Sequence, residues 1–169
     1  DSGAAVAAGQ VMLGPRIEAR LLQDLAVAKQ DKVLEIGTGS GFMAALLAHR
    51  AQQVVSWEIR PELVAMDKEN LRQSMVMNVE VRQGDAAAGD ASRGPWDAIL
   101  LSGSVHEVPQ ALLGQQKVGG RLVAIVGDEP MMRALRVVRL SEQEFRTDVL
   151  FDTVAPRLEG FAPASRFHF

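Results

Sequence analysis

Short apolar runs alternate with segments of helical periodicity along most of the chain. Apolar residues recur at helical spacing in four segments, which we predict as helices: 15–28, 42–50, 61–75 and 109–116. Five other runs have the length and composition of strands: 32–36, 54–58, 79–82, 96–101 and 121–126. Strands that alternate with helices in this way predict βαβ units on a mostly parallel sheet with helices on both faces.

The pattern changes after Pro130. Segments 132–140 and 144–151 are two extended stretches joined by a polar turn, which predicts a late antiparallel pair at the edge of the sheet. Residues 1–14 are predicted to be a lead-in loop because they begin with small residues and show no periodicity. No repeat, low-complexity tract or interdomain linker interrupts the chain, so residues 1–169 are predicted to form a single α/β domain of Rossmann-like type.

The strongest chemical signal is a glycine-rich loop directly after the first predicted strand, Val33-Leu34-Glu35-Ile36-Gly37-Thr38-Gly39-Ser40-Gly41. Glycines here permit a tight turn and let a ligand approach the backbone. Dinucleotide-binding loops have the spacing G-x-G-x-x-G, whereas this loop is G-x-G-x-G and contains Glu35. A carboxylate would repel a pyrophosphate but suit a cationic ligand such as S-adenosylmethionine. A tight strand–helix turn without a ligand is the alternative.

Acidic residues accompany the later strands. Glu58 ends the second strand, where a carboxylate can accept both hydroxyls of a ribose. Asp85 follows the third strand after Gly84, where a carboxylate can accept a hydrogen bond from an adenine amino group, and Asp97 belongs to the fourth strand. Because the carboxyl ends of parallel strands meet in one crevice, we expect these side chains to bind one adenosine-containing ligand.

Charge and composition narrow the class of protein further. The chain has no cysteine, which excludes disulfides and a thiolate nucleophile and fits a cytoplasmic protein. It has no apolar run long enough to span a membrane. A net charge of −3 argues against a broad nucleic-acid-binding surface. His49 and His168 have no partner at metal-binding spacing, so no metal site is predicted.

The chain resembles the protein-L-isoaspartate O-methyltransferase family, and the resemblance covers most of its length. Beyond the glycine loop, it is carried by the following segments: Gly9-Gln10, Trp57-Glu58-Ile59, Asn78-Val79-Glu80-Val81 with Gly84-Asp85, Trp96-Asp97-Ala98-Ile99-Leu100, Glu107-Val108-Pro109-Gln110-Ala111-Leu112-Leu113, Gly119-Gly120-Arg121-Leu122-Val123 and Val149-Leu150-Phe151. The stretch Val-Pro-Gln-Ala-Leu-Leu is the most specific of these. The resemblance implies the S-adenosylmethionine-dependent methyltransferase fold.

The resemblance also implies an activity, a cofactor and a partner. Enzymes of this family methylate the free α-carboxylate of an isoaspartyl residue in a damaged protein or peptide, and the ester promotes repair through a succinimide. We therefore expect an S-adenosyl-L-methionine-dependent methyltransferase with a protein or peptide acceptor. The predicted cofactor-binding residues are Glu35, Gly37, Thr38, Gly39, Ser40, Gly41, Glu58, Ile59, Gly84, Asp85, Ala86 and Ser102.

The chain departs from the family on the acceptor side. The family's serine in a Gly-Gln-Thr-Ile-Ser motif is replaced by Leu13, and the helical region that precedes the motif in the family is not part of this chain. The loop Ser102–His106 also differs from the family's alanine-rich loop. The catalytic candidates are the position of Leu13 and His106. His106 is either a base for a neutral acceptor or a residue without a catalytic role. The alternative function is a cofactor-binding paralogue with weak or no isoaspartyl activity, which acts on another acceptor or as a binding module.

Overall fold

The fold is built on one seven-stranded sheet, and the computed structural model describes residues 13–37 and 41–161. The elements in chain order are α1 (Pro15–Leu25), β1 (Lys32–Ile36), α2 (Phe42–Ala48), β2 (Gln53–Glu58), α3 (Pro61–Gln73), β3 (Val79–Gln83), β4 (Trp96–Val105), α4 (Gln110–Leu113), β5 (Gln116–Asp128), β6 (Met131–Arg139) and β7 (Phe145–Thr153).

The strand order is β3-β2-β1-β4-β5-β6-β7. The first five strands are parallel, whereas β6 pairs antiparallel with both β5 and β7. The predicted α/β class with a late antiparallel pair is therefore confirmed. Strand order reverses between β1 and β4, and in open parallel sheets ligands bind in the crevice beyond the carboxyl ends of the strands at this point.

Side chains of the central strands alternate between two buried faces. In β1, Val33 belongs to the apolar cluster that contains α1 and α2 residues, whereas Leu34 belongs to the cluster that contains Leu112 of α4. Helix α3 packs Val64 and Leu71 against β3 and α2. Helices therefore lie on both faces, as predicted, but on the α4 face residues 13–37 and 41–161 contribute one four-residue helix and loops.

Several predicted boundaries were wrong, each for a tertiary reason. The first helix ends at Leu25 because Ala26 turns into the left-handed region, and the Arg121 side chain donates to the carbonyls of Leu25 and Ala26 there. Strand β4 continues to Val105, and β5 begins at Gln116, because each strand pairs with the other over this longer stretch. The predicted helix 109–116 is consequently reduced to α4.

Candidate functional site

The crevice at the switch point begins where the chain leaves β1. Ile36 is the last residue of β1 and pairs with Leu101 of β4. Gly37 follows with a φ of +88°, which favours glycine, and its N–H donates to the Trp57 carbonyl of β2 at 2.8 Å. Gly41, at the start of α2, has a φ of +84°. The two outer glycines of the loop are thus required by backbone conformation.

Glu35 lies directly below this loop and is fully buried. The Ser56 hydroxyl donates to its Oε1 at 2.7 Å, and the Ser102 hydroxyl donates to its Oε2 at 2.6 Å. Burial raises the pKa of Glu35 to about 7 despite these two hydrogen bonds, and the nearby carboxyls of Glu18 and Glu58 act in the same direction. The structure therefore brings together Glu35 and Ser102, which the sequence separates by more than sixty residues.

The end of β2 supplies a second carboxyl group on the same face. The Glu58 side chain is 7% exposed, and its Oε2 accepts the Arg60 N–H at 3.0 Å. This hydrogen bond fixes the carboxylate beside the start of α3, and Ile59 lies between the two residues. Glu58 and Glu35 interact electrostatically, so both predicted acids belong to one region of negative charge.

Gly84, Asp85 and Ala86 follow β3, which lies beside β2 on the same side of the crevice. Gly84 packs against the Trp57 ring, so closely that a Cβ there would lie 2.8 Å from the ring. Asp85 is exposed, and its Oδ1 accepts the Ala87 N–H at 2.9 Å in a local turn. Ala86 is buried in the apolar cluster of the α4 face. The third strand therefore presents one solvent-accessible carboxylate and a close-packed backbone.

The segment after β7 crosses the crevice and continues the sheet beyond the end of β1. Ser104 of β4 donates its N–H to the Pro156 carbonyl and accepts from the Leu158 N–H. The Leu158 side chain packs on Gly37 and Gly103, since a Cβ on Gly37 would lie 2.5 Å from Leu158 Cδ2. This segment was not predicted to form part of the site, because no periodicity in the sequence marks it.

A third buried acid, Asp67, was also missed. It lies on α3, is fully buried, and packs against Gly41, where a Cβ would lie 3.4 Å from its Oδ1. Burial, and then the carboxyls of Glu35 and Glu58, raise the pKa of Asp67 to about 8. A polar residue on the apolar side of an amphipathic helix was the signal available in the sequence.

Other predicted residues have different positions. Asp97 lies at the amino end of β4, where its Oδ2 accepts the Lys32 N–H at 2.9 Å, so grouping it with Glu58 and Asp85 was wrong. Leu13 packs in the apolar core with α1 and α2. Thr38, Gly39 and Ser40, like Gly9-Gln10, most of the lead-in and His168, lie outside the described residues.

His106 forms a pair that the sequence did not indicate. Its Nδ1 lies 2.8 Å from the Asp128 Oδ2 at the end of β5. The Arg157 guanidinium donates to the other Asp128 oxygen at 2.6 Å and to the Gly127 carbonyl. The three side chains therefore join the ends of β4 and β5 to the segment after β7, and Asp128 and Arg157 were not among the predicted site residues.

Comparison with known proteins identifies the family. The model of the protein-L-isoaspartate(D-aspartate) O-methyltransferase family matches residues 1–155. The chain belongs to this family. A protein-L-isoaspartate O-methyltransferase of Methanoculleus marisnigri is 41% identical over 131 residues, which are 78% of this chain and 60% of that protein. The Koribacter versatilis protein of the same name is 39% identical over 159 residues, covering 92% of this chain and 71% of its relative.

Solved structures with the same fold include members of this family. One is a Plasmodium falciparum β-aspartate methyltransferase structure in complex with S-adenosyl-L-homocysteine, with a TM-score of 0.83 at 18% identity. It matches 95% of this chain and 81% of that chain. Another protein-L-isoaspartate O-methyltransferase structure has a TM-score of 0.82 at 22% identity, covering 96% of this chain and 52% of the other. At these identities the likeness establishes the shared fold.

Two features are absent from the described part of the chain. No helix in residues 13–37 or 41–161 is both long and apolar enough to cross a membrane. Across the same residues, no group of three or more His, Asp or Glu side chains has an arrangement that could hold a metal ion.

Proposed function

We propose that this chain binds S-adenosyl-L-methionine at the β1–β4 crevice. It transfers the methyl group of this cofactor to the carboxylate of an isoaspartyl residue in a damaged protein. The chain spans 60% of the length of the Methanoculleus relative and 71% of the Koribacter relative, so the activity is inferred for the part of the protein that this chain represents. The observation that carries the proposal is the set of carboxyl groups placed around the glycine loop at the switch point.

The residues of the crevice fit this cofactor chemically. Glu35 and Glu58 are buried acids on the same face of the sheet, and Asp67 adds a third carboxyl whose oxygens have no partner among the described residues. Such a site disfavours a phosphate and suits an ammonium or sulfonium group. In this proposal the Glu58 carboxylate accepts the ribose hydroxyls, and Asp85 accepts a hydrogen bond from an adenine amino group. The remaining predicted contacts of Gly37, Gly41, Ile59, Gly84, Ala86 and Ser102 belong to the same proposal.

When bound, the cofactor supplies a methyl group on a sulfonium leaving group. The protein therefore has to orient the acceptor in line with the methyl group and exclude water. A carboxylate acceptor is already ionised near pH 7, so no general base is required. The segment 155–161 packs beside Gly37, and in this proposal it excludes water from this side of the site. In this proposal His106 has no proton to remove.

The proposal extends to domain organisation, partners and location. We infer that residues 1–169 act as one methyltransferase domain, because every strand in the described part of the chain belongs to one sheet. A damaged protein or peptide is the inferred acceptor, and the net charge of −3 gives no support for a nucleic-acid partner. We infer a cytoplasmic location from the same chemistry, since protein repair acts on cellular proteins and the chain contains no cysteine.

Two measurements test the function. Titration calorimetry with S-adenosylhomocysteine is expected to show micromolar binding by the wild type and at least tenfold weaker binding by Glu58→Ala, with Glu142→Ala as the control in the exposed β6–β7 turn. Radiolabel transfer is expected to an isoaspartyl peptide and not to its aspartyl isomer. If the wild type does not bind S-adenosylhomocysteine, the glycine loop is a structural turn without a cofactor, and the proposal is wrong. Binding without transfer to either peptide would favour the alternative, a cofactor-binding protein with another role.

A further inference from the structure

Asp67 is a buried carboxyl group that no neighbour satisfies. Its side chain is fully buried, and neither Oδ1 nor Oδ2 has a hydrogen-bond partner among the residues that the structure describes. Buried polar groups in proteins are nearly always hydrogen-bonded, because leaving one unpaired has a large free-energy cost. A group of this kind beside a ligand-binding loop therefore requires an explanation.

Among the described residues, the charged groups that act on Asp67 are acids. Its Oδ1 faces Gly41 at the start of α2, and the charged groups that act on it are Glu35 of β1 and Glu58 of β2. Glu18 of α1 in turn acts on Glu35. We call Glu35, Glu58 and Asp67 the acidic cluster. Burial among these groups raises the pKa of Asp67 to about 8, so its carboxyl is protonated at neutral pH in the free protein.

The members of the acidic cluster differ in how much bonding capacity they retain. Both oxygens of Glu35 already accept a serine hydroxyl, and Glu58 accepts a backbone N–H. Asp67 has no such partner among the described residues, so its oxygens remain available to an incoming positive charge. An opposite charge within about 4–6 Å lowers a carboxyl pKa by roughly 1–3 units, which is enough to ionise a group such as Asp67 at pH 7.

We propose that Asp67 is a positioning residue that supplies the counter-charge for the ammonium group of the cofactor's amino-acid head. The inference rests on the proposed function and adds a residue to it. When the ammonium group enters the acidic cluster, the Asp67 O–H bond breaks, the proton leaves to solvent and the carboxylate remains as the counter-charge. Cofactor binding is thereby coupled to the release of a proton.

The wild type alone provides the first test. Calorimetry with S-adenosylhomocysteine at pH 7, in two buffers of different ionisation enthalpy, counts the protons released per ligand bound. We expect about half a proton or more, and an affinity that rises by up to about tenfold per pH unit between pH 6 and 8. Methylthioadenosine lacks the amino-acid head, and we expect it to bind without releasing a proton.

Two variants locate the proton. Asp67→Asn keeps the shape of the side chain but cannot ionise, and we expect its affinity for S-adenosylhomocysteine to change less than threefold between pH 7 and 8, where Glu35, with a pKa of about 7, is already largely ionised. Glu18→Gln is the matched control, because Glu18 is also a buried acid whose pKa burial raises to about 7, yet it lies on α1. We expect Glu18→Gln to retain the proton release.

The outcomes separate this inference from the proposed function. No binding of S-adenosylhomocysteine by the wild type would overturn both. Binding without proton release would overturn the counter-charge role alone. The same applies if methylthioadenosine releases as many protons or if Asp67→Asn releases as many as the wild type. Should Asp67→Asn fail to fold, the comparison of the two ligands on the wild type decides the question.

Discussion

The free energy of unfolding of Asp67→Asn, relative to that of the wild type, is expected to increase as the pH rises. The wild-type carboxyl keeps its proton in the folded state up to a pKa of about 8, whereas the unfolded chain releases it near the ordinary value of 3.8. Between these values unfolding releases a proton, so the free energy of unfolding of the wild type falls as the pH rises. Asparagine does not titrate, and this contribution to the pH dependence disappears in the variant.

The pKa values set the size of the effect. A rise from 3.8 to about 8 is about four units. At about 1.4 kcal/mol per unit, the ceiling is about 6 kcal/mol. Relaxation around a buried charge lowers such penalties, so we expect Asp67→Asn to gain about 2–3 kcal/mol over the wild type between pH 5 and 8. Between pH 7 and 8, most of the change in this difference belongs to Asp67, because Glu35, whose pKa is about 7, is already largely ionised there.

Urea unfolding at pH 5, 6, 7 and 8 measures this difference directly. Asp152→Asn, at a largely exposed position on β7, is the control and is expected to differ from the wild type by the same amount at every pH. The asparagine amide stays buried without a partner, which costs free energy equally at all pH values, so only the change with pH is diagnostic. If the free energies of unfolding of Asp67→Asn and the wild type differ by the same amount at pH 5 and pH 8, the pKa of Asp67 is not raised by folding and the prediction is wrong.

Two further predictions concern the edges of the crevice. Gly37→Ala places a Cβ 2.5 Å from Leu158 Cδ2 at a φ of +88°, and we expect at least tenfold weaker binding of S-adenosylhomocysteine in calorimetry. Gly119→Ala, at a φ of +86° with nothing within 4 Å, should lose about 1 kcal/mol of stability and keep its affinity. For a carboxylate acceptor, His106→Gln is expected to keep isoaspartyl transfer within about threefold of the wild type. A hundredfold loss in the radiolabel assay would instead indicate an acceptor that needs a base.

Most of the fold could be predicted from the order of elements, but the ends of the strands could not. β1 was predicted at its observed bounds because a short apolar run between polar turns is a local pattern. The extension of β4 to Val105 depends on pairing with β5, and its last residues also pair with the segment after β7. Nothing within residues 102–105 records these partners, since they are contributed by distant parts of the chain.

Local sequence patterns were enough to predict the element types, the glycine loop and two acids at the carboxyl ends of strands, Glu35 and Glu58. These follow from local periodicity, from the backbone freedom of glycine and from the meeting of the carboxyl ends of parallel strands at one end of the sheet. Three features depend on the folded chain: Asp97 lies at the opposite end of the strands, Asp67 joins the acidic cluster, and Leu158 packs on Gly37. The reason is physical: strand register and helix packing set which distant side chains meet, and they also set the burial that changes the pKa values of the acids.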